Sequence, residues 1–216
     1  MAARLAIIAA MPATPRWLVE PDLHRLCTDL KAAHWLQERG SLTARLRAHW
    51  GDVAVHLIEE GLALPLPHEA QRLGLAPSAL AWVRCVELRC QGQARIHART
   101  VIPHWSPANP WAEVQSLGRQ PLGELLFSLP DLKRSAFEWA QWPSPQNPGQ
   151  PEALARRCVF ERAEAPLLLT EVFLDLPPCA VGGPAESPKR GRPAVEKMTD
   201  HLDSCLTDQT TLDLEF

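Results

Sequence analysis

Two charged side chains stand where the strand pattern calls for apolar ones. In the strand predicted over residues 81–90 (AWVRCVELRC), Arg84 lies on the same side as the hydrophobic residues two positions away. In the strand predicted over residues 166–174 (PLLLTEVFL), Glu171 is placed in the same way. An ionised group on an apolar face is costly unless a partner compensates it. Each of these two charges therefore needs a partner.

Two interpretations of this pattern are open. Arg84 and Glu171 could pair with each other as a structural bridge, or be turned to the surface at a sheet edge. Alternatively, both line a pocket, in which the guanidinium of Arg84 holds a carboxylate of an anionic ligand and Glu171 faces a hydroxyl or a reacting carbon. A nearby helix start supports the pocket: Pro121 suits the first turn, so the N–H of Leu122 is free to donate to the same carboxylate.

Hairpin-linked strands, with helices grouped between them, must position these residues. A turn at Gln91-Gly92-Gln93 makes the strands on either side of it antiparallel neighbours. The pattern favours an α+β fold with one antiparallel sheet of about six strands. Strands are predicted over 52–59, 81–90, 94–102, 156–162 and 166–174, and helices over 20–39, 111–117, from Pro121 onward and over 133–141.

Composition indicates one ordinary globular domain. The chain has 216 residues, 46% of them hydrophobic, and a formal net charge of −3, so the total charge does not suggest a nucleic-acid partner or a membrane surface. Residues 1–178 are expected to form the domain, and residues 179–216, poor in large apolar side chains, a disordered tail. The apolar run at the N-terminus is minimal for a signal peptide and nothing approaches a membrane span, so we expect a cytoplasmic protein whose six cysteines are reduced.

Three blocks of the sequence resemble the chorismate pyruvate-lyase (chorismate lyase) family. They are VRCVELRCQGQARIHARTVIP (83–103), LGRQPLGELLF (117–127) and PLLLTEVFL (166–174), in the family's order and spacing. The resemblance runs from about Trp35 to Pro177. It implies helices packed on the sheet and covering an internal ligand pocket.

The resemblance also implies roles for individual residues. Arg84 is similar to the arginine that holds the product carboxylate, Leu122 to a residue whose backbone joins it, and Glu171 to the carboxylate at the phenol end. Leu42 stands where family members have Met and would contact the ligand through its main chain. Arg99 resembles an arginine near the access route of the pocket and is expected to attract a second carboxylate.

The activity implied by the resemblance is cleavage of chorismate into 4-hydroxybenzoate and pyruvate, which supplies ubiquinone synthesis. It implies a monomer with no metal and no other cofactor, whose partners are the substrate and product alone. Three features depart from the family pattern: a long Pro-rich loop over 142–154, Ala165 where a Lys often stands, and the tail after Pro178.

Alternatives of other classes remain. The same fold resembles effector-binding domains of bacterial transcription regulators, so the alternative function is a non-catalytic sensor of small aromatic acids. The segment PKRGRP (188–193) could contact a DNA minor groove, although acidic residues surround it. A metal site on Cys85, Cys90, His97 and His104 is rejected, because the two cysteines point to opposite faces and the spacing matches no compact zinc pattern.

Overall fold

A single antiparallel sheet forms the centre of the protein. The computed structural model describes residues 15–19, 30–130, 132–143 and 151–174. Its strands are β1 (Leu18–Val19), β2 (Val53–Ala63), β3 (Ala81–Cys90), β4 (Gln93–Pro103), β5 (Lys133–Arg134), β6 (Glu138–Pro143), β7 (Pro151–Arg162) and β8 (Ala165–Phe173). Their order is β1-β6-β7-β8-β4-β3-β2, and β5 pairs with residues 160–161 of β7, beyond the stretch of β7 that pairs with β6. Six of these strands are long and two have only two residues, which confirms the predicted α+β fold.

Short helices lie around this sheet. They are α1 (Leu30–Leu36), α2 (Leu42–Trp50), α3 (Pro67–Leu73) and α4 (Leu122–Ser128), with a 3-10 helix at Ala112–Ser116. The helix expected over 20–39 is present as α1, and its first part lies outside the described residues. None of the helices among the described residues is long and apolar enough to cross a membrane. The N-terminal residues 1–14, the middle of the Pro-rich loop, the expected tail and its PKRGRP segment also lie outside the described ranges.

One predicted helix is wrong. Residues 133–141 form β5 and the start of β6 instead, and both strands pair with β7. Trp139 and Trp142 are both buried although they point to opposite faces of the sheet. Burial on both faces removes the apolar–polar alternation by which a strand is recognised, so local sequence could not decide between helix and strand.

The hairpin between β3 and β4 fixes which side chains share a face. Gln91 and Gly92 both have positive φ, 51° and 76°, as a two-residue hairpin turn requires. Pairing starts with Cys90 opposite Gln93, but it shifts by one residue between Leu88 and Arg89. This β-bulge inserts one extra residue in β4 and reverses the face of every later side chain of β4 relative to β3.

The two faces of the sheet have different coverings. On the front face, α1 and α2 contribute Trp35, Leu36 and Leu46 to a core with the sheet. On the back face, α3 is fixed by an ion pair between its Glu69 and Arg99 of β4, with Nε and Oε1 3.0 Å apart.

Burial of histidine on the back face should make stability depend on pH. Burial lowers the pKa of His97 to about 4, and that of His68 likewise. Between pH 6.5 and 4 the unfolded chain therefore binds protons that the folded chain does not, so stability falls as the pH falls, by up to about 1.4 kcal/mol per pH unit for each group. We expect His97→Met to flatten this fall in urea unfolding at pH 7, 6 and 5. The exposed His56, replaced by Gln, is the control, and an equally steep fall in both variants would contradict the assignment.

Candidate active site

A cavity on the front face of the sheet brings together four of the five residues singled out in the sequence. Its floor is formed by side chains of β3, β4, β7 and β8, and its walls by the starts of α2 and α4 and by the segment around β5. The lining residues are Gly40, Leu42, Thr43, Arg84, Val86, Leu88, Ala98, Thr100, Pro121, Leu122, Gly123, Leu126, Phe127, Arg134, Phe137, Arg156, Cys158, Phe160, Leu169 and Glu171. The cavity is mostly apolar with a few charged groups, as small-molecule sites commonly are.

Arg84 is buried at the wall formed by α4. Only 1% of it is exposed. Its Nη2 donates to the carbonyl oxygens of Gly118 and Gln120, at 2.9 and 3.2 Å, and so fixes the turn that leads into α4. Its Nε lies 3.5 Å from Oε1 of Glu60 but makes no hydrogen bond with any described residue. Burial lowers the pKa of the guanidinium, although Glu60 acts in the opposite direction. The charge of Arg84 is therefore only partly compensated, and a ligand carboxylate would complete the compensation.

Glu171 is buried beside a second arginine. Nε of Arg156, the residue opposite it on β7, lies 2.6 Å from its Oε2. Nη1 of Arg156 donates to the carbonyl oxygens of Leu36 and Glu38, at 3.2 and 2.6 Å. The guanidinium thus holds one carboxylate oxygen of Glu171 and joins it to the segment that leads into α2. The interpretation that Glu171 pairs with Arg84 is wrong, because each of the two has its own partner.

The starts of α2 and α4 meet above the sheet. Ser41 caps α2 by accepting a hydrogen bond from the N–H of Ala44 at 3.2 Å. A Cβ placed on Gly123 would lie 3.6 Å from Oγ of Ser41. Leu42 and Leu122, the first residues of α2 and α4, therefore both line the cavity at two neighbouring helix starts, where N–H groups lack helical acceptors. This arrangement can offer main-chain donors to the carboxylate that faces Arg84.

Strand register gives the separation of the two charged residues. Arg84 pairs with Thr100 and Glu171 with Ala98. Arg84 and Glu171 are therefore separated by two strands across the sheet and by two residues along the strand direction. Their Cα atoms are thus roughly 12 Å apart in a flat sheet, at about 4.8 Å per strand and about 3.4 Å per residue. This span suits a single ring that carries polar groups at opposite ends, with the apolar floor of the cavity against its face.

Arg99 does not line this cavity, although the resemblance places it near the access route. It points to the back face, where its Nε contacts both carboxylate oxygens of Glu69 at 3.0 and 3.1 Å. Its Nη1 lies 3.1 Å from Sγ of Cys85. The reason is the β-bulge after Leu88. In a regular hairpin Arg99 would face Arg84, whereas in the structure Thr100 does.

Two cavity arginines were missed in the sequence. Arg156 and Arg134 both line the cavity. Arg156 carries the same signal as Arg84, since it shares its side of β7 with Leu154, Cys158 and Phe160. Arg134 carries no such signal, because β5 has only two residues and was assigned to a helix.

Cys158 adds no reactive group to the cavity. Burial raises the pKa of its thiol to about 12, so it remains protonated at neutral pH. In the described ranges, Cys85, Cys90 and Cys158 are free thiols, and no cluster of three or more His, Cys, Asp or Glu residues could hold a metal ion. The polar side chains that line the cavity are those of Arg84, Arg134, Arg156, Glu171, Thr43 and Thr100.

Fold and cavity together define a class: an α+β protein that can bind a small anionic molecule within an antiparallel sheet and its covering helices. Comparisons make this more specific. The family model described as Chorismate lyase matches residues 11–179. "Probable chorismate pyruvate-lyase" from Hydrogenovibrio crunogenus is 39% identical over 168 residues, covering 74% of this chain and 91% of the relative. "Chorismate pyruvate-lyase" from Hamiltonella defensa is 34% identical over 166 residues, covering 76% and 86%. The chain belongs to the chorismate lyase family.

Solved structures that resemble the chain are more distant. PhnF from Mycobacterium smegmatis has a TM-score of 0.45 at 14% identity, covering 63% of this chain and 64% of that one. A transcriptional regulator of the GntR family from Bacillus cereus has a TM-score of 0.40 at 12% identity, covering 56% and 91%.

Proposed function

We propose that the protein is a chorismate pyruvate-lyase that converts chorismate into 4-hydroxybenzoate and pyruvate. The observation that carries this proposal is that two buried charged residues, Arg84 and Glu171, line one largely apolar cavity with their Cα atoms roughly 12 Å apart. Membership of the chorismate lyase family supports it, as do the names of the relatives.

In this proposal the ring carboxylate lies against Arg84. Its oxygens accept hydrogen bonds from the guanidinium and from the backbone N–H groups of Leu122 and Leu42. Arg84 is already held by the carbonyl oxygens of Gly118 and Gln120, so little side-chain freedom is lost when the ligand binds. The ring axis then leads from Arg84 towards Glu171.

At the other end, Glu171 meets the hydroxyl-bearing carbon of the ring. The bond between the neighbouring ring carbon and the enolpyruvyl oxygen breaks, and the hydrogen on the hydroxyl-bearing carbon is lost as a proton. The ring becomes aromatic, and the released proton balances the one that converts enolpyruvate to pyruvate. Substrate and products have the same overall oxidation state, so the reaction requires no redox cofactor. Glu171 can accept the proton or the hydrogen bond of the emerging phenol, while Arg156 holds its other oxygen.

The cavity would contribute mainly orientation and exclusion of water. Val86, Ala98 and Leu169 form an apolar floor between the two charged ends. A substrate fixed at its carboxylate and pressed against this floor has few ways to react other than elimination. The remaining parts of the proposal are that the enzyme acts without a metal, as a cytoplasmic monomer, and supplies ubiquinone synthesis.

The test is direct. Purified full-length protein is mixed with chorismate in buffer containing EDTA, and pyruvate and 4-hydroxybenzoate are quantified over time. We expect equal amounts of both, in many-fold excess over the protein. Saturable binding of chorismate or 4-hydroxybenzoate without turnover would contradict the proposal and favour a sensor of aromatic acids.

A further inference from the structure

Among the described residues, one arginine of the cavity has no carboxylate within ion-pair distance. Arg156 is paired with Glu171 at 2.6 Å, and Arg84 lies 3.5 Å from Glu60. Arg134 also lines the cavity, yet no carboxylate of a described residue lies within ion-pair distance of it. Arg134 is half-buried, and among the described residues no carboxylate balances its positive charge.

Arg134 is nevertheless held in place. Its Nη1 donates to the carbonyl oxygen of Arg39 at 2.8 Å, and its guanidinium carbon lies 4.8 Å from the ring centroid of Phe137. A carbonyl oxygen and an aromatic face orient a guanidinium without neutralising it. Such a group is suited to bind an anion, because the remaining donors of its planar fork match a carboxylate.

The position of Arg134 relative to the other charges is set by the sheet. Arg84 is on β3, Glu171 is two strands away on β8, and Arg134 is on β5, which pairs with β7. Arg134 is opposite Phe160, four residues along β7 from Arg156, the partner of Glu171. The guanidinium groups of Arg134 and Arg156 nevertheless approach the same ring, with their carbons 4.8 and 4.6 Å from the centroid of Phe137. A ligand that extends from Arg84 to Glu171 therefore has its far end near the Phe137 ring that Arg134 contacts.

We propose that Arg134 binds the second carboxylate of the substrate, the one carried by the enolpyruvyl group. This inference rests on the proposed lyase function. Chorismate bears this group on the carbon next to its hydroxyl-bearing carbon, at the end of the ring remote from the ring carboxylate. In the product the group is gone and only the ring carboxylate remains. Arg134 thus distinguishes the dianionic substrate from the monoanionic product, whereas Arg84 binds both.

The experiment separates substrate recognition from product recognition. Arg134→Met keeps an unbranched side chain against Phe137 and removes the charge, and Arg134→Lys keeps the charge without the fork. We expect Arg134→Met to raise the KM for chorismate about tenfold or more, with a smaller change in kcat, and Arg134→Lys to restore part of the loss. The Kd for 4-hydroxybenzoate, measured by calorimetry, should stay within about twofold of the unsubstituted protein.

Lys133→Met is the matched control. Lys133 is the neighbouring residue on β5, but its side chain is 79% exposed and pairs with Glu161 at the surface. This variant removes the same unit of charge from the same strand and should leave both constants unchanged. Thermal unfolding of all variants verifies that they fold.

Three outcomes would overturn the inference. An unchanged KM in Arg134→Met would remove Arg134 from substrate recognition. An equal loss of affinity for chorismate and for 4-hydroxybenzoate would show that Arg134 shapes the cavity as a whole. Absence of turnover in the unsubstituted protein would overturn the proposed function itself, and is distinguished from the first two because it needs no variant.

Discussion

Replacement of Glu171 by Gln is expected to lower the rate of pyruvate release from chorismate by a factor on the order of a hundred or more. The amide has the size of the carboxylate and can still accept the hydrogen bond that Arg156 now donates to Oε2 at 2.6 Å. It cannot take a proton at neutral pH. The ring carboxylate end of the cavity is untouched, so affinity for 4-hydroxybenzoate should fall much less than turnover. Single-turnover mixing with quantification of pyruvate measures the chemical step separately from product release.

The choice of Gln matters because Glu171 compensates a buried charge. Glu171→Ala would leave the guanidinium of Arg156 without an anionic partner, and a loss of activity could then reflect a disturbed fold. Glu124→Gln is a suitable control: Glu124 is on α4, close to the cavity, but pairs with Arg47 at the surface and is half exposed. Turnover near that of the unsubstituted protein in Glu171→Gln would exclude Glu171 from the proton step, whatever the control does.

Local patterns predicted the part of the site that depends on strand alternation. The positions of Arg84 and Glu171 on apolar faces follow from counting residues within one strand, and the structure places both in one cavity. The start of α4 at Leu122 follows from Pro121 in the same way. These features involve residues close in sequence, for which the geometry of a strand or helix start is sufficient.

Pairings between distant strands were not predictable in this way. Neither Glu60 as the neighbour of Arg84 nor Arg156 as the partner of Glu171 can be found without the strand order, which places β2 beside β3 and β7 beside β8. The position of Arg99 depends on a single inserted residue in β4. A bulge of this kind has no strong local signature, yet it reverses the face of every residue beyond it.

Arg99→Ala is therefore expected to affect stability rather than substrate binding. Its partner Glu69 is 0% exposed, and loss of the guanidinium would leave that carboxylate buried with little compensation. Breaking a buried pair from one side costs about 3–5 kcal/mol. Burial already raises the pKa of Glu69, so protonation of the orphaned carboxyl would bring the cost towards the lower end. Urea unfolding at pH 7 measures the loss.

The double variant Arg99→Met with Glu69→Gln tests whether the unpaired charge of Glu69 causes the loss of stability. The introduced amide would still accept the hydrogen bond that the N–H of Leu66 now donates to Glu69 at 2.8 Å, and no unpaired charge would remain, so most of the lost stability should return. Arg162→Ala, which breaks a surface pair with Glu113, should cost no more than about 1 kcal/mol.

If Arg99→Ala instead folded with unchanged stability and bound chorismate poorly, Arg99 would belong to the substrate path and not to the back of the sheet. The expected result, a less stable variant with an unchanged KM in its folded fraction, would mean that Arg99, turned to the back face by the bulge in β4, serves to attach α3 to the sheet.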